Sequence, residues 1–197
     1  MMKKFFAILL CLSMLTSCAA LAETGKASMG VIDVNGAFEL KCALPDGYAL
    51  EVMYSDFTTC IAMVKPEDPG KPTLLISVAF SEIYSEIERL NDMDEDALKR
   101  VEDSFREEES VDISYMETAY GTKLMVVKEV SDGADYVDFY TVYKGYEVEL
   151  ILTRAQYDAE TGMILDTPPI TDAEIQMAVQ FLSDMDFVGA EASHSQK

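Results

Sequence analysis

The chain has 197 residues, of which 36 are acidic and 15 are basic, and its formal net charge is −21. This charge excludes a protein that binds nucleic acid or anionic lipid headgroups through a basic surface, because the phosphates would be repelled. Hydrophobic residues make up 49% of the chain, so the composition predicts a folded domain and excludes a disordered one.

The N-terminus has the pattern of an export signal. A short basic start at 1–4 precedes an apolar run at 5–15 that is too short to span a bilayer. Two cleavage patterns compete. Ala20-Leu21-Ala22 ends a signal peptide over 1–22, whereas Leu15-Thr16-Ser17-Cys18 resembles a lipobox, in which the signal ends before a lipidated Cys18. Both predict an extracytoplasmic protein, either secreted or anchored as a lipoprotein, with membrane contact only through that lipid.

Residues 23–35 are predicted to be an N-terminal tether, 36–188 a single domain and 189–197 a disordered tail. The period of the apolar residues predicts the secondary structure. Strands are expected at 36–42, 48–54, 58–64, 73–80, 111–118, 122–130, 136–143, 146–153 and 186–188. A helix is expected at 92–108, capped by Asp92, and another after Thr171, where Glu174 completes a capping box. The segment 81–90 has the spacing of a short helix.

The two strands around Lys144-Gly145 form the clearest hairpin pattern, because Gly145 allows the positive φ of a two-residue turn. This turn pairs Tyr143 with Tyr146. A register shifted by one residue would bury Glu147 and Glu149, so the pattern specifies its own pairing. One face is nearly all apolar: Val137, Phe139, Thr141, Tyr143, Tyr146, Val148, Leu150 and Leu152. The other face is mixed: Tyr136, Asp138, Tyr140, Val142, Glu147, Glu149, Ile151 and Thr153.

Two cysteines, Cys42 and Cys60, remain once residues 1–22 are removed. An oxidising compartment permits a disulfide between them. The alternative is two buried thiols that pack as small hydrophobic side chains.

The order of strands, helix, strands, helix predicts an α+β fold with a mainly antiparallel β-sheet packed with helices. The segments LPDGY, GTKLMVV, YVDFYTVYKGYEVELILT and FLSDMDFV follow this order. Their rhythm resembles that of the PsbP-like fold, a family that includes small bacterial extracytoplasmic proteins and lipoproteins. The resemblance implies an α/β/α sandwich over 36–188 and a role in binding or assembly, without a catalytic motif.

The residues that support common catalytic chemistry are missing from the sequence. His194 is the only histidine and lies in the predicted tail, which argues against a Ser-His-Asp triad, a Cys-His pair or a histidine-rich zinc site. No glycine-rich phosphate loop is present. We therefore predict no catalytic residue, no cofactor and no enzyme activity. A carboxylate-dependent hydrolase is the weakest alternative, since any acidic chain contains carboxylate pairs.

A second alternative is a protein that binds divalent cations, and calcium in particular. Asp92, Asp94, Asp96 and Asp103 have the spacing of positions 1, 3, 5 and 12 of a calcium loop. Ala97 occupies the position that requires glycine, so the sequence favours a helix start with acids in its first turn. No metal ligand is therefore assigned.

The predicted function is a non-catalytic extracytoplasmic binding or assembly module whose ligand the sequence does not identify. The expected partner is a protein of the cell envelope, and not a nucleic acid. The candidate interaction surface is Tyr136, Tyr140, Glu147 and Glu149 on the second hairpin face, with Tyr157 from the loop at 154–169. The favoured alternative is that a helix covers this face and makes it a second core layer.

Overall fold

The structure is a computed structural model that describes residues 29–106, 111–129, 136–154 and 168–189. These residues form a mostly antiparallel α+β fold with ten strands and two α-helices. The strands are β1 (Met29–Val34), β2 (Phe38–Ala43), β3 (Tyr48–Ser55), β4 (Thr59–Pro66), β5 (Thr73–Phe80), β6 (Val111–Glu117), β7 (Lys123–Glu129), β8 (Tyr136–Tyr143), β9 (Tyr146–Thr153) and β10 (Asp186–Gly189). The helices are α1 (Glu95–Arg106) and α2 (Asp172–Ser183), and short 3-10 turns cover Glu82–Tyr84 and Leu90–Asp92.

The strands form two sheets. The large sheet has the order β3-β4-β5-β9-β8-β7-β6, and the small sheet has the order β1-β2-β10. Every pair of neighbours is antiparallel. The last strand pairs with the second, with Phe187 opposite Leu40, so the two ends of the domain meet in the small sheet.

The predicted hairpin is confirmed in its register. Tyr143 pairs with Tyr146 and Val137 with Leu152. Lys144 and Gly145 have φ values of 52° and 79°, as a type I′ turn requires. Asn and Gly are the usual residues at such positions, so Lys144 adopts this conformation at a modest cost.

The first face of the hairpin lies in the main core. Val137, Phe139, Val148 and Leu150 are fully buried there. The small sheet and α2 contribute to the same core through Ile32, Phe38, Leu40, Ala178, Phe181 and Leu182. Each large side chain buried in this way stabilises the fold by about 1.5–3 kcal/mol relative to an exposed one.

The second face of the large sheet is covered over β6, β7 and β8. Tyr140 and Val142 pack there with Val101 and Phe105 of α1, and the rings of Phe105 and Tyr140 lie 5.4 Å apart. Tyr140 and Val142 lie on the other face of β8 from Val137 and Phe139, because successive side chains of a strand alternate between faces.

Two predicted boundaries are wrong. The tether predicted at 23–35 is a strand from Met29 onward, because Ile32 and Val34 alternate with exposed neighbours and are buried on β2. The first helix begins at Glu95 and not at Asp92, because the 3-10 turn at Leu90–Asp92 buries Leu90. The cap is Asp94, whose Oδ1 accepts the Ala97 N–H at 2.6 Å.

The capping box of the last helix is confirmed. Thr171 accepts a hydrogen bond from the Glu174 backbone, and the Glu174 carboxylate accepts the Thr171 N–H at 2.9 Å. The guanidinium of Arg154 also donates to Glu174 and to the Gly70 carbonyl, which ties the start of α2 to the large sheet. None of the helices in the described residues is long and apolar enough to cross a membrane.

Candidate interaction surface

The turn between β3 and β4 is fixed by one carboxylate. Asp56 Oδ1 accepts the backbone N–H groups of Thr58 and Thr59 at 2.9 and 2.8 Å, and its Oδ2 accepts the Tyr54 hydroxyl at 2.5 Å. The Tyr54 hydroxyl and these two backbone donors lower the pKa of Asp56 to about 2. The turn is therefore a defined structure with an ionised aspartate at neutral pH.

This turn presents an aromatic side chain to solvent. Phe57, between Asp56 and Thr58, is 92% exposed. Phe80 and Ile83 follow at the end of β5, and Ile83 is 85% exposed. The Phe80 N–H donates to the Thr58 carbonyl at 2.7 Å, so both segments lie at the same end of the large sheet. We call Tyr54, Phe57, Phe80 and Ile83 the aromatic end.

The segment that carries Phe80 and Ile83 is held by the tip of the central hairpin. Ser81 N–H donates to the Gly145 carbonyl at 3.0 Å, and the N–H groups of Lys144 and Gly145 donate to Glu88 and Ile87 at 2.8 and 3.0 Å. The Phe80 ring also lies against the Tyr146 ring, with 5.4 Å between centroids. The backbone that presents the aromatic end is thus anchored at several points.

The charges around the aromatic end are mostly negative. Glu82 and Glu86 are exposed beside Ile83, and Glu88 is exposed on the same segment. Glu147 and Glu149 lie on β9, opposite Ala79 and Ser77 of β5, and are half-buried on the second face of the sheet, whereas Phe80 lies on the first face against Tyr146. With Asp56, this end of the sheet combines apolar side chains with acidic ones.

The predicted surface on the second hairpin face is not one open patch. Tyr140 is 3% exposed, because α1 and the segment before it cover this part of the sheet. Tyr140 therefore belongs to a second core layer, and its inclusion in an interaction surface is wrong. Tyr136, Glu147 and Glu149 are half-buried. Tyr157 lies outside the described residues.

The two cysteines are free thiols. Cys42 and Cys60 are buried, Cys42 in the small sheet and Cys60 in the large one, and no disulfide joins them. Burial raises the pKa of Cys42 to about 11. The alternative of two thiols that pack as small hydrophobic side chains is therefore the one found.

The acidic segment before α1 serves the helix. Asp94 caps it, and Asp103 accepts two hydrogen bonds from Lys99 one turn earlier, at 2.6 and 2.8 Å. The described ranges contain no group of three or more His, Cys, Asp or Glu side chains placed to hold a metal ion.

The burial of one acid was not predicted from the sequence. Asp138 is 2% exposed, and its Oδ1 has no hydrogen-bond partner in the described part of the chain. Burial, followed by the charge of Glu149, raises the pKa of Asp138 well above its usual range. A closed position of this kind gives no access to a substrate, so Asp138 affects the stability of the sheet. The alternation of the hairpin already placed it on the second face, beside Tyr140, and this was the available signal.

A shallow groove of about 540 Å³ lies between the edge strand β6, its neighbour β7 and the start of α2. Its walls include Asp112, Ser114, Lys128 and Asp172, and the Lys128 Nζ lies 3.5 Å from the Asp172 carboxylate. The only hydroxyl nucleophile that lines it, Ser114, has no histidine beside it on these walls. The groove is accordingly a polar surface feature.

The sequence prediction did not include the aromatic end, although Phe57 lies between two predicted strands. An aromatic residue in a short turn, directly after an aspartate, was the signal that could have revealed it. Comparison with known proteins gives no match to a protein-family model, to a curated protein or to a solved structure.

Proposed function

We propose that this chain is a non-catalytic binding or assembly module that works outside the cytoplasm. Its fold would be a PsbP-like α/β/α sandwich, and its partner a protein of the cell envelope that docks on the aromatic end. The observation that carries the proposal is Phe57, which is 92% exposed on a turn held by the hydrogen bonds of Asp56.

A large apolar side chain held in water is unfavourable unless a partner covers it. Burying Phe57 in a partner would gain about 1.5–3 kcal/mol, which is the size of an interface hot spot. Because the turn is fixed by hydrogen bonds, little conformational entropy is lost on docking. Ile83 and Phe80 are further exposed apolar side chains at this end of the sheet, and a docking surface needs more than one.

The test is co-purification of cross-linked partners from the cells that produce the protein. The double variant Phe57→Ser, Ile83→Ser removes the two most exposed apolar side chains of the aromatic end without changing charge. Met29→Ser is the matched control, because Met29 is 62% exposed but lies on β1 in the small sheet. The proposal expects one envelope protein to be recovered with the wild type and with the control, and to be lost with the double variant. Equal recovery with all three proteins would refute docking at this surface.

The location is tested separately by the intact mass of the mature protein. Export with ordinary cleavage predicts a chain that begins at Glu23, and the lipoprotein alternative predicts a lipidated Cys18 as the first residue. A full-length chain retained in the cytoplasm would contradict the extracytoplasmic part of the proposal.

A further inference from the structure

We infer that the aromatic end binds a cationic protein segment, in which one apolar residue is flanked by lysine or arginine. This inference rests on the proposed function and specifies the chemistry of the partner. It is carried by the combination of exposed apolar side chains and a mostly acidic surround at the same end of the large sheet.

The charge balance at this end is negative. The segments 54–59 and 79–89, together with the hairpin tip at 144–145, contain four acids and two bases. The acids are Asp56, Glu82, Glu86 and Glu88, and the bases are Arg89 and Lys144. Arg89 lies 5.8 Å from the centre of the Tyr143 ring, and the Lys144 amine lies beside Gly189. A partner that covers Phe57 and Ile83 therefore meets more acids than bases.

A second copy of this chain fits poorly, because each copy carries −21 and the same acidic surround. Like charges placed face to face oppose association, whereas a basic partner is steered towards the site. At physiological ionic strength charges interact over about 8 Å, so the acids next to the apolar centre matter more than the remote ones. An apolar residue between two cations meets both requirements, since it would cover Phe57 and face Glu82 and Glu86.

The probe is a displayed library of random short peptides, panned against the mature protein. Peptides that also bind the Phe57→Ser, Ile83→Ser variant are removed. Because the variant and the wild type have equal charge, this step removes the peptides that bind any acidic protein. We expect the remaining binders to contain an apolar residue with an excess of lysine and arginine over acids. Their affinity for the double variant should be at least about thirty-fold lower.

The contribution of the acids is tested with one selected peptide and two charge-matched variants. Glu82→Gln with Glu86→Gln should weaken binding between about two-fold and about thirty-fold, from the range measured for two exposed ion pairs. Asp46→Asn with Glu67→Gln removes the same charge at the opposite end of the β3–β4 hairpin and should leave affinity unchanged. Binding should also weaken as salt rises from about 0.05 M to about 0.5 M.

The outcomes separate the two proposals. This inference would be overturned if the peptides that require Phe57 and Ile83 had no excess of basic residues. It would also be overturned if the affinity of the selected peptide did not change with Glu82→Gln and Glu86→Gln. Either result would leave the proposed function standing. An absence of surface-dependent binders, together with equal recovery of partners in the co-purification, would end both. Self-association through Phe57, measured by light scattering, would overturn the inference in favour of a second copy. Binding of Phe57 to neutral phosphatidylcholine vesicles would overturn it in favour of a lipid surface.

Discussion

The substitution Gly145→Ala tests whether the hairpin tip supports the aromatic end. Gly145 has φ +79°, and a Cβ placed there would lie 3.1 Å from the Ser85 Cα and 3.3 Å from the Phe80 ring. Non-bonded carbons pack best at about 3.5–4.0 Å, so the backbone of the 81–88 segment would have to move. The left-handed conformation alone costs an alanine about 1–2 kcal/mol, and overpacking against this backbone adds about 1–3 kcal/mol.

The matched control is Gly36→Ala in the turn between β1 and β2. Gly36 has φ +73° and nothing within 4 Å of the added Cβ, so this variant carries the conformational cost alone. Urea unfolding should show that Gly145→Ala loses about 2 kcal/mol more than Gly36→Ala, a difference of roughly 4–8 °C in melting temperature. Equal losses would refute the claim that the tip packs tightly on the segment carrying Phe80.

The remaining predictions concern the cysteines, the buried acid and the last helix. Because burial raises the pKa of Cys42 to about 11, native protein should react with a thiol reagent at mildly alkaline pH far more slowly than urea-unfolded protein. Rapid reaction of both Cys42 and Cys60 in the absence of urea would contradict this. The raised pKa of Asp138 means that the native state binds a proton that the unfolded chain has released above about pH 4. The stability of Asp138→Asn relative to wild type should therefore rise with pH from about 4 upward, and a constant difference in urea unfolding would contradict the assignment. Thr171→Ala removes the cap of α2 and should cost about 1 kcal/mol, whereas Thr171→Ser should retain most of the stability.

Local patterns predicted the parts of the fold that are formed by neighbours in sequence. The strand at Thr73–Phe80 begins and ends where its continuous apolar run placed it, and the strands at Tyr136–Tyr143 and Tyr146–Thr153 where the hairpin pattern around Lys144-Gly145 placed them. The last helix begins after Thr171, as its capping box indicated. In each case the residues that decide the structure lie within a few positions of each other.

Long-range pairing was beyond the reach of such patterns. The small sheet joins β1, β2 and β10 from opposite ends of the domain, so neither the strand at Met29–Val34 nor the partner of β10 followed from local alternation. Coverage of a sheet face is equally non-local. Tyr140 and Glu147 share a hairpin face, yet Tyr140 is buried with Val101 and Phe105 of α1, whereas Glu147 is only half-buried.

The candidate surface was the least predictable part. Phe57 is exposed because Asp56 fixes a tight turn, and the hydrogen bonds of that turn depend on the pairing of β3 with β4. Its proximity to Phe80 depends in turn on the pairing of β4 with β5. A sequence pattern shows an aromatic residue in a loop, but it does not show which other apolar residues lie beside it.

The most direct test of the central claim is a photo-reactive phenylalanine analogue at position 57 in the intact cell, with the same analogue at position 29 as the control. Cross-linking from position 57 should yield one discrete adduct with an envelope protein that position 29 does not yield. The absence of any adduct specific to position 57, in cells where the labelled protein is folded and abundant, would contradict the account.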